Sequence, residues 1–124
     1  MNVNKNTGYN KELGNRGENT AGLYYKSKGY EIICRNFRFS NIGEIDLIVK
    51  KGNLIVFAEV KSRNSSFFGG ALYSISDRKK NTLRKVARYF LKLHPEFFLK
   101  DSVFRFDLVS IEKGRVELIE DIIR

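Results

Sequence analysis

The chain has 124 residues, 42% of them hydrophobic and 13% aromatic, which suits a single folded domain over residues 1–124 and excludes a disordered tail. Its 23 Lys and Arg against 14 Asp and Glu give a net charge of +9, which selects an anionic partner and leaves the fold open. The one cysteine, Cys34, excludes an internal disulfide framework; the polar opening MNVNKNTGYNKELGNRG holds no apolar signal core, so a cytoplasmic protein that stays out of the membrane is expected.

Residues 1 to about 8 are polar and are expected to be loose. From about Tyr9 to Lys28, Leu13, Gly17, Ala21, Tyr24 and Tyr25 fall on one helical face, and Gly29 stops the helix. A glycine on that face lets the helix approach a sheet closely, although each of Gly14 and Gly17 weakens it by about 1 kcal/mol relative to Ala. YEIICRNFRF, GEIDLIVK and NLIVFAEVKSR read as three strands, followed by a glycine-bearing loop with Phe67 and Phe68. Ser76 caps a second helix running to about Leu93, with Leu83, Val86, Ala87, Phe90 and Leu91 as its core stripe and Pro95 at its end. SVFRFDLVSIE and RVELIEDII then read as two closing strands around a Lys-Gly turn. Cys34 alternates with Ile32 and reads as a small core residue. The order predicts a mixed α/β domain with a five-stranded sheet.

The tightest geometric inference comes from VKKGNLIV. Gly52-Asn53 fits a two-residue hairpin turn of type II′, with glycine first, which pairs Lys51 with Leu54. The same register sets Asp46 opposite Glu59, and the two-residue period of a strand puts Lys61 on the face of Glu59. Opposed carboxylates repel unless a cation lies between them. Mg²⁺ or Mn²⁺ held by Asp46 and Glu59, with Lys61 to orient or deprotonate a water and to meet a phosphate, is chemistry for phosphodiester hydrolysis. The plainer alternative is a solvated Glu59–Lys61 ion pair at a sheet edge. The apolar runs around these residues argue for central strands, where carboxylates seldom stand without a reason.

GENTA, YEIICRNFR, GEIDLIVK and FAEVKSR together resemble the YraN-like or UPF0102 family, which by resemblance belongs to the PD-(D/E)XK nuclease superfamily, near the Holliday-junction resolvases. The resemblance runs from about Gly17 to Phe106. It implies a restriction-endonuclease-like three-layer core, a central mixed sheet flanked by helices. It also implies that Asp46 and Glu59 are the metal-binding acids, that Lys61 is the catalytic lysine, and that Glu18 adds to the metal site. Lys79 falls where the family carries a basic residue.

The second helix carries Lys80, Arg84 and Arg88 at i, i+4 and i+8, and like charges at that spacing repel until a polyanion relieves them. Lys79 in its first turn, and Arg35, Arg38 and Arg63 at strand ends near the acids, complete the nucleic-acid-binding set, each with surface pairing as its plain alternative. Phe67 and Phe68 stack on bases or simply pack; His94 has no role. A metal-dependent endonuclease is the leading expectation, with DNA ahead of RNA as its partner and a homodimer if branched junctions are cut. The alternatives are a non-catalytic nucleic-acid- or ribonucleoprotein-binding module on a nuclease-like fold and an assembly protein with a salt-bridged sheet.

Overall fold

The structure, a computed structural model, describes residues 8–63 and 75–123. The expectations for residues 1–7, for Phe67 and Phe68 and for the Arg63 side chain lie outside what it describes. In chain order the elements are α1 (Gly8–Ser27), β1 (Glu31–Phe39), β2 (Gly43–Lys51), β3 (Leu54–Arg63), α2 (Asp77–Leu93), a 3₁₀ turn (Pro95–Phe97), β4 (Val103–Glu112) and β5 (Arg115–Ile119). They form a five-stranded sheet in the order β1-β2-β3-β4-β5, in which β3 and β4 are parallel and the other neighbours antiparallel. The α2 segment supplies the long crossover that a parallel pair requires.

The helices cover opposite faces. On one, Ala21 and Tyr25 of α1 pack with Leu47, Val49, Val56, Ala58 and Val109. On the other, Leu83, Val86 and Phe90 of α2 pack with Ile48, Ile55 and Phe57. Strands β2 and β3 are therefore apolar on both sides and central, as their continuous apolar runs require. All five residues of the α2 core stripe are buried, and Ser76 caps the helix by accepting a hydrogen bond from the Lys79 N–H at 3.1 Å.

Close approach fixes α1. A Cβ at Gly17 would displace the Ser62 Oγ and press on the Ser62 Cβ at 3.3 Å, so glycine lets this turn of α1 lie close against β3. The helix ends in a Schellman motif: Gly29 at φ 92° donates to the Lys26 carbonyl, and Tyr30 donates to the Tyr25 carbonyl, both at 3.0 Å. The Gly52 turn has φ 61° at glycine alone, the type II′ pattern, and the β2–β3 ladder runs from Lys51–Leu54 to Leu47–Ala58 in the expected register.

Two expectations need correction. The last strand ends at Ile119, not Ile123. Asp121 turns left-handed (φ 60°) and donates its N–H to Asp107 Oδ1 at 3.1 Å; Ile122 donates to the Phe106 carbonyl at 2.8 Å, and Ile123 is buried in the α2-side core. The captured N–H turns the chain out of the ladder and over the sheet's end. Ile32 and Cys34 also face opposite layers, because the β1–β2 register slips between them.

Asp107 anchors more than the last turn. Fully buried, it accepts from Arg105 through Nε at 2.8 Å and Nη2 at 2.9 Å, and from the Tyr25 hydroxyl at 2.8 Å. Burial, with Asp107 alongside, pushes the Tyr25 hydroxyl upward, so it remains a donor. This network ties α1 to β4. Asp107→Ala strands a buried hydroxyl and leaves the Arg105 guanidinium with only Tyr30 and the exposed Glu120 as partners, and should lower unfolding free energy by about 3 kcal/mol in urea titration. Tyr25→Phe, which removes one donor, should cost about 1 kcal/mol from the lost hydrogen bond.

Candidate functional site

The β2–β3 ladder stops one pair before Asp46 and Glu59, so the expected direct pairing of these two residues is not made. Beyond it, the Val60 N–H goes to Asp46 Oδ2 at 2.8 Å. A side chain thus takes the place of a backbone carbonyl, and the strands part. The kink shows in the packing. Ile45 lies in the α2-side core and Leu47 in the α1-side core, although two residues apart on a regular strand share a face. Opposite the kink in β1, between the pairs Arg35–Leu47 and Phe37–Ile45, Asn36 is left-handed with φ 53°. Asparagine tolerates that conformation better than most residues.

At this parting the acids gather. Glu18, Glu44 and Asp46 each present one carboxylate oxygen within 4.8 Å of the others. The Asn36 amide donates to Glu18 Oε2 at 2.9 Å and to Glu44 Oε2 at 3.0 Å, joining α1 to β2. Glu18 Oε1 is buried and accepts no hydrogen bond from the described residues, while Arg35 Nη2 stands 3.9 Å away. Arg38 Nη2 lies 3.3 Å from Glu44 Oε1. Gly17 explains why Glu18 reaches this point: the close contact with β3 is one residue away.

Glu59 extends β3 on the side of Ile55 and Phe57, facing α2, where Lys79 Nζ meets its Oε2 at 3.3 Å. It lies outside the Glu18–Glu44–Asp46 triplet, yet close enough to act on it. Burial, and then repulsion from Glu59, push the Asp46 carboxyl up to about 7; the Val60 N–H pulls the other way, and Glu18 and Glu44 add smaller repulsions. Lys61, half-buried, follows on the Glu59 side of β3 beside Ser110 of β4.

The structure thus brings together Asp46, Glu59, Glu18 and Lys79, with Lys61 continuing the same strand. It sets Lys80, Arg84 and Arg88 apart from them. Lys80 and Arg84 line a hollow with Asp77 and Asp121, whereas Arg88 lines an aromatic-floored one with Phe39 and Tyr89. Arg35 and Arg38 stand over the acids as counterions. Two residues were not assigned from sequence. Glu44 carries a legible signal, an acid two positions before Asp46; Asn36 carries none, since its part depends on a left-handed backbone.

These features define a three-layer α/β domain whose central sheet opens around a set of carboxylates flanked by lysines. Residues 17–111, which include every acid of the set, match the family described as "Uncharacterised protein family UPF0102", and the chain belongs to that family. It is 45% identical over 101 residues to a UPF0102 protein of Caldicellulosiruptor saccharolyticus, covering 82% of each chain. With a UPF0102 protein of Syntrophomonas wolfei the identity is 44% over 112 residues, covering 90% of this chain and 89% of the relative. One from Thermodesulfovibrio yellowstonii is 41% identical over 110 residues, covering 89% and 94%. Among the described residues, no helix is long and apolar enough to cross a membrane.

The raised Asp46 carboxyl has a signed consequence. Between about pH 4 and pH 7 the folded chain keeps a proton that the unfolded chain releases, so this group's contribution to stability falls as pH rises through that window. Asp46→Asn removes the charge. Its melting temperature should match the wild type near pH 4 and exceed it by several degrees at pH 8 without divalent ions, a gain of about 1 kcal/mol or more.

Proposed function

We propose that the protein is a divalent-metal-dependent nuclease of the PD-(D/E)XK type that hydrolyses phosphodiester bonds, with DNA ahead of RNA as its substrate. The observation that carries this reading is the cost the fold accepts at Asp46: a half-buried carboxylate clustered with Glu18 and Glu44 and repelled by Glu59, which with its burial raises it to about 7. Pure attraction for a polyanion gains nothing from such a group. A non-catalytic binding module would do better with a neutral residue there.

The donor set fits the ion. It is all oxygen and carboxylate-rich, as hard divalent cations prefer, and Glu18 Oε1 is a buried acceptor with no hydrogen bond among the described residues. Glu18, Asp46 and Glu59 would hold Mg²⁺ or Mn²⁺, with Glu44 beside them. A bound ion supplies Lewis acidity toward the phosphoryl oxygen and a more acidic water. The chain's own residues do the rest. Lys61 orients or deprotonates the attacking water and offers positive charge to the phosphorane as it forms. Asn36 holds Glu18 and Glu44 in place through its amide. The Lys80–Arg84–Arg88 row on α2 gives salt-sensitive attraction for the backbone.

A cleavage panel of duplex, branched and single-stranded DNA and of RNA, with Mg²⁺ and with Mn²⁺, tests this. Asp46→Asn and Glu59→Ala should each lower cleavage by about two orders of magnitude or more while leaving salt-dependent binding within about threefold. Cleavage that survives both changes in homogeneous protein rejects the nuclease reading. Binding that is indifferent to metal, with no cleavage of any substrate, supports the non-catalytic module.

A further inference from the structure

Lys79 is the third residue of α2, and its ammonium reaches the sheet to pair with Glu59 at 3.3 Å. The partners differ sharply in exposure. The Glu59 side chain is 10% exposed and the Lys79 side chain 38%, so the carboxylate is committed to the site while the lysine still meets solvent. Arg38 and Glu44 are 64% and 30% exposed, and such pairs exchange for water at little cost. Arg35 and Glu18, at 41% and 13%, have exposures close to those of Lys79 and Glu59 but stand 3.9 Å apart, a looser pair. Removing the cation from a desolvated carboxylate is expensive unless another replaces it. Lys79–Glu59 is the closer of the two pairs made on a mostly buried carboxylate, at 3.3 Å against 3.9 Å, and so the one whose opening is most tied to the arrival of a different cation.

We infer that Lys79 is a transferable counterion. It neutralises Glu59 until a divalent ion takes over that carboxylate, and it then turns to a phosphate of the nucleic acid. This inference rests on the metal-dependent reading above and adds a positioning residue to it. Charge balance supports it. Glu18, Glu44 and Glu59 are already paired with Arg35, Arg38 and Lys79, so a divalent ion bound with Asp46 ionised leaves one positive charge unmatched, beside the place where a phosphate must lie. Side-chain type supports it as well. Lysine carries a point charge on a flexible stem and can move between acceptors a few ångströms apart, which the planar fork of arginine does less readily. The Ser76 cap anchors the Lys79 backbone, so the stem alone moves. Ion and nucleic acid then bind with positive coupling, and linkage makes the effect equal in both directions.

The test is calorimetric titration of Mn²⁺ into the wild type, Lys79→Met and Lys80→Met. It is paired with binding of a DNA oligonucleotide in the presence and absence of Ca²⁺, chosen to limit cleavage. Lys79→Met should bind Mn²⁺ about fivefold or more tighter than the wild type without DNA, because Glu59 has lost its internal competitor. It should also lose most of the cation-dependent gain in DNA affinity. Lys80→Met, which removes the same charge one residue away, should leave Mn²⁺ affinity unchanged and weaken DNA binding equally with and without Ca²⁺. Should Lys79→Met be less stable, Mn²⁺ should raise its melting temperature by more than it raises that of the wild type. Wild type that binds Mn²⁺ while Lys79→Met binds it no tighter overturns this inference alone. Wild type that binds no Mn²⁺ overturns it together with the metal-dependent reading.

Discussion

One hydrogen bond organises the working half of this molecule: the Val60 N–H given to the carboxylate of Asp46 at 2.8 Å. It ends a ladder that could have continued. A backbone carbonyl at that point would have kept β2 and β3 flat against each other and sent Ile45 to the same side as Leu47. The side chain instead parts the strands, turns Ile45 toward α2, and leaves Asp46 between the layers, where Glu18 approaches from α1 and Glu59 stands toward α2. The arrangement is costly, because a carboxylate is held partly desolvated among its own kind. What tolerates that cost is the two-sided apolar packing of β2 and β3, which lies next to the acids and does not depend on them.

The frame around the site is stiff at the places that matter. Gly17 sets the distance between α1 and β3, and Tyr25, two turns further along α1, is fixed by Asp107 through a buried hydrogen bond. Between these two points lies the face that presents Glu18. On the other side, Ser76 fixes where α2 begins, and therefore where Lys79 starts its reach. The elements that carry the acids are thus also held by contacts that include none of those acids. Charge changes at the centre can be made without dissolving the scaffold.

Much of this was legible in the chain. The α2 stripe, the two-residue Gly52 turn and the register it imposes follow from periodicity and from the φ that glycine allows, and local rules of this kind survive folding. The kink did not follow, since it arises from a side chain competing with a backbone carbonyl across two strands. The end of β5 was missed for a similar reason: a buried aspartate fourteen residues earlier captures the Asp121 N–H. The separation of Lys79 from Lys80 was readable in principle. Lys79 lies four residues before Leu83 and so shares its inward face, while Lys80, Arg84 and Arg88 form a row of their own.

The margins of the sheet carry a further consequence. Strands β2 and β3, apolar on both sides, would make effective templates for cross-β growth if either stood at a border. Both are interior. The outer strand β1 is interrupted by a register slip after Ile32 and by left-handed Asn36, and β5 offers only five residues. Neither border presents the long, even row of amides and carbonyls that an incoming strand would need. The chain can thus keep a strongly apolar centre and still resist self-templated aggregation while it is folded.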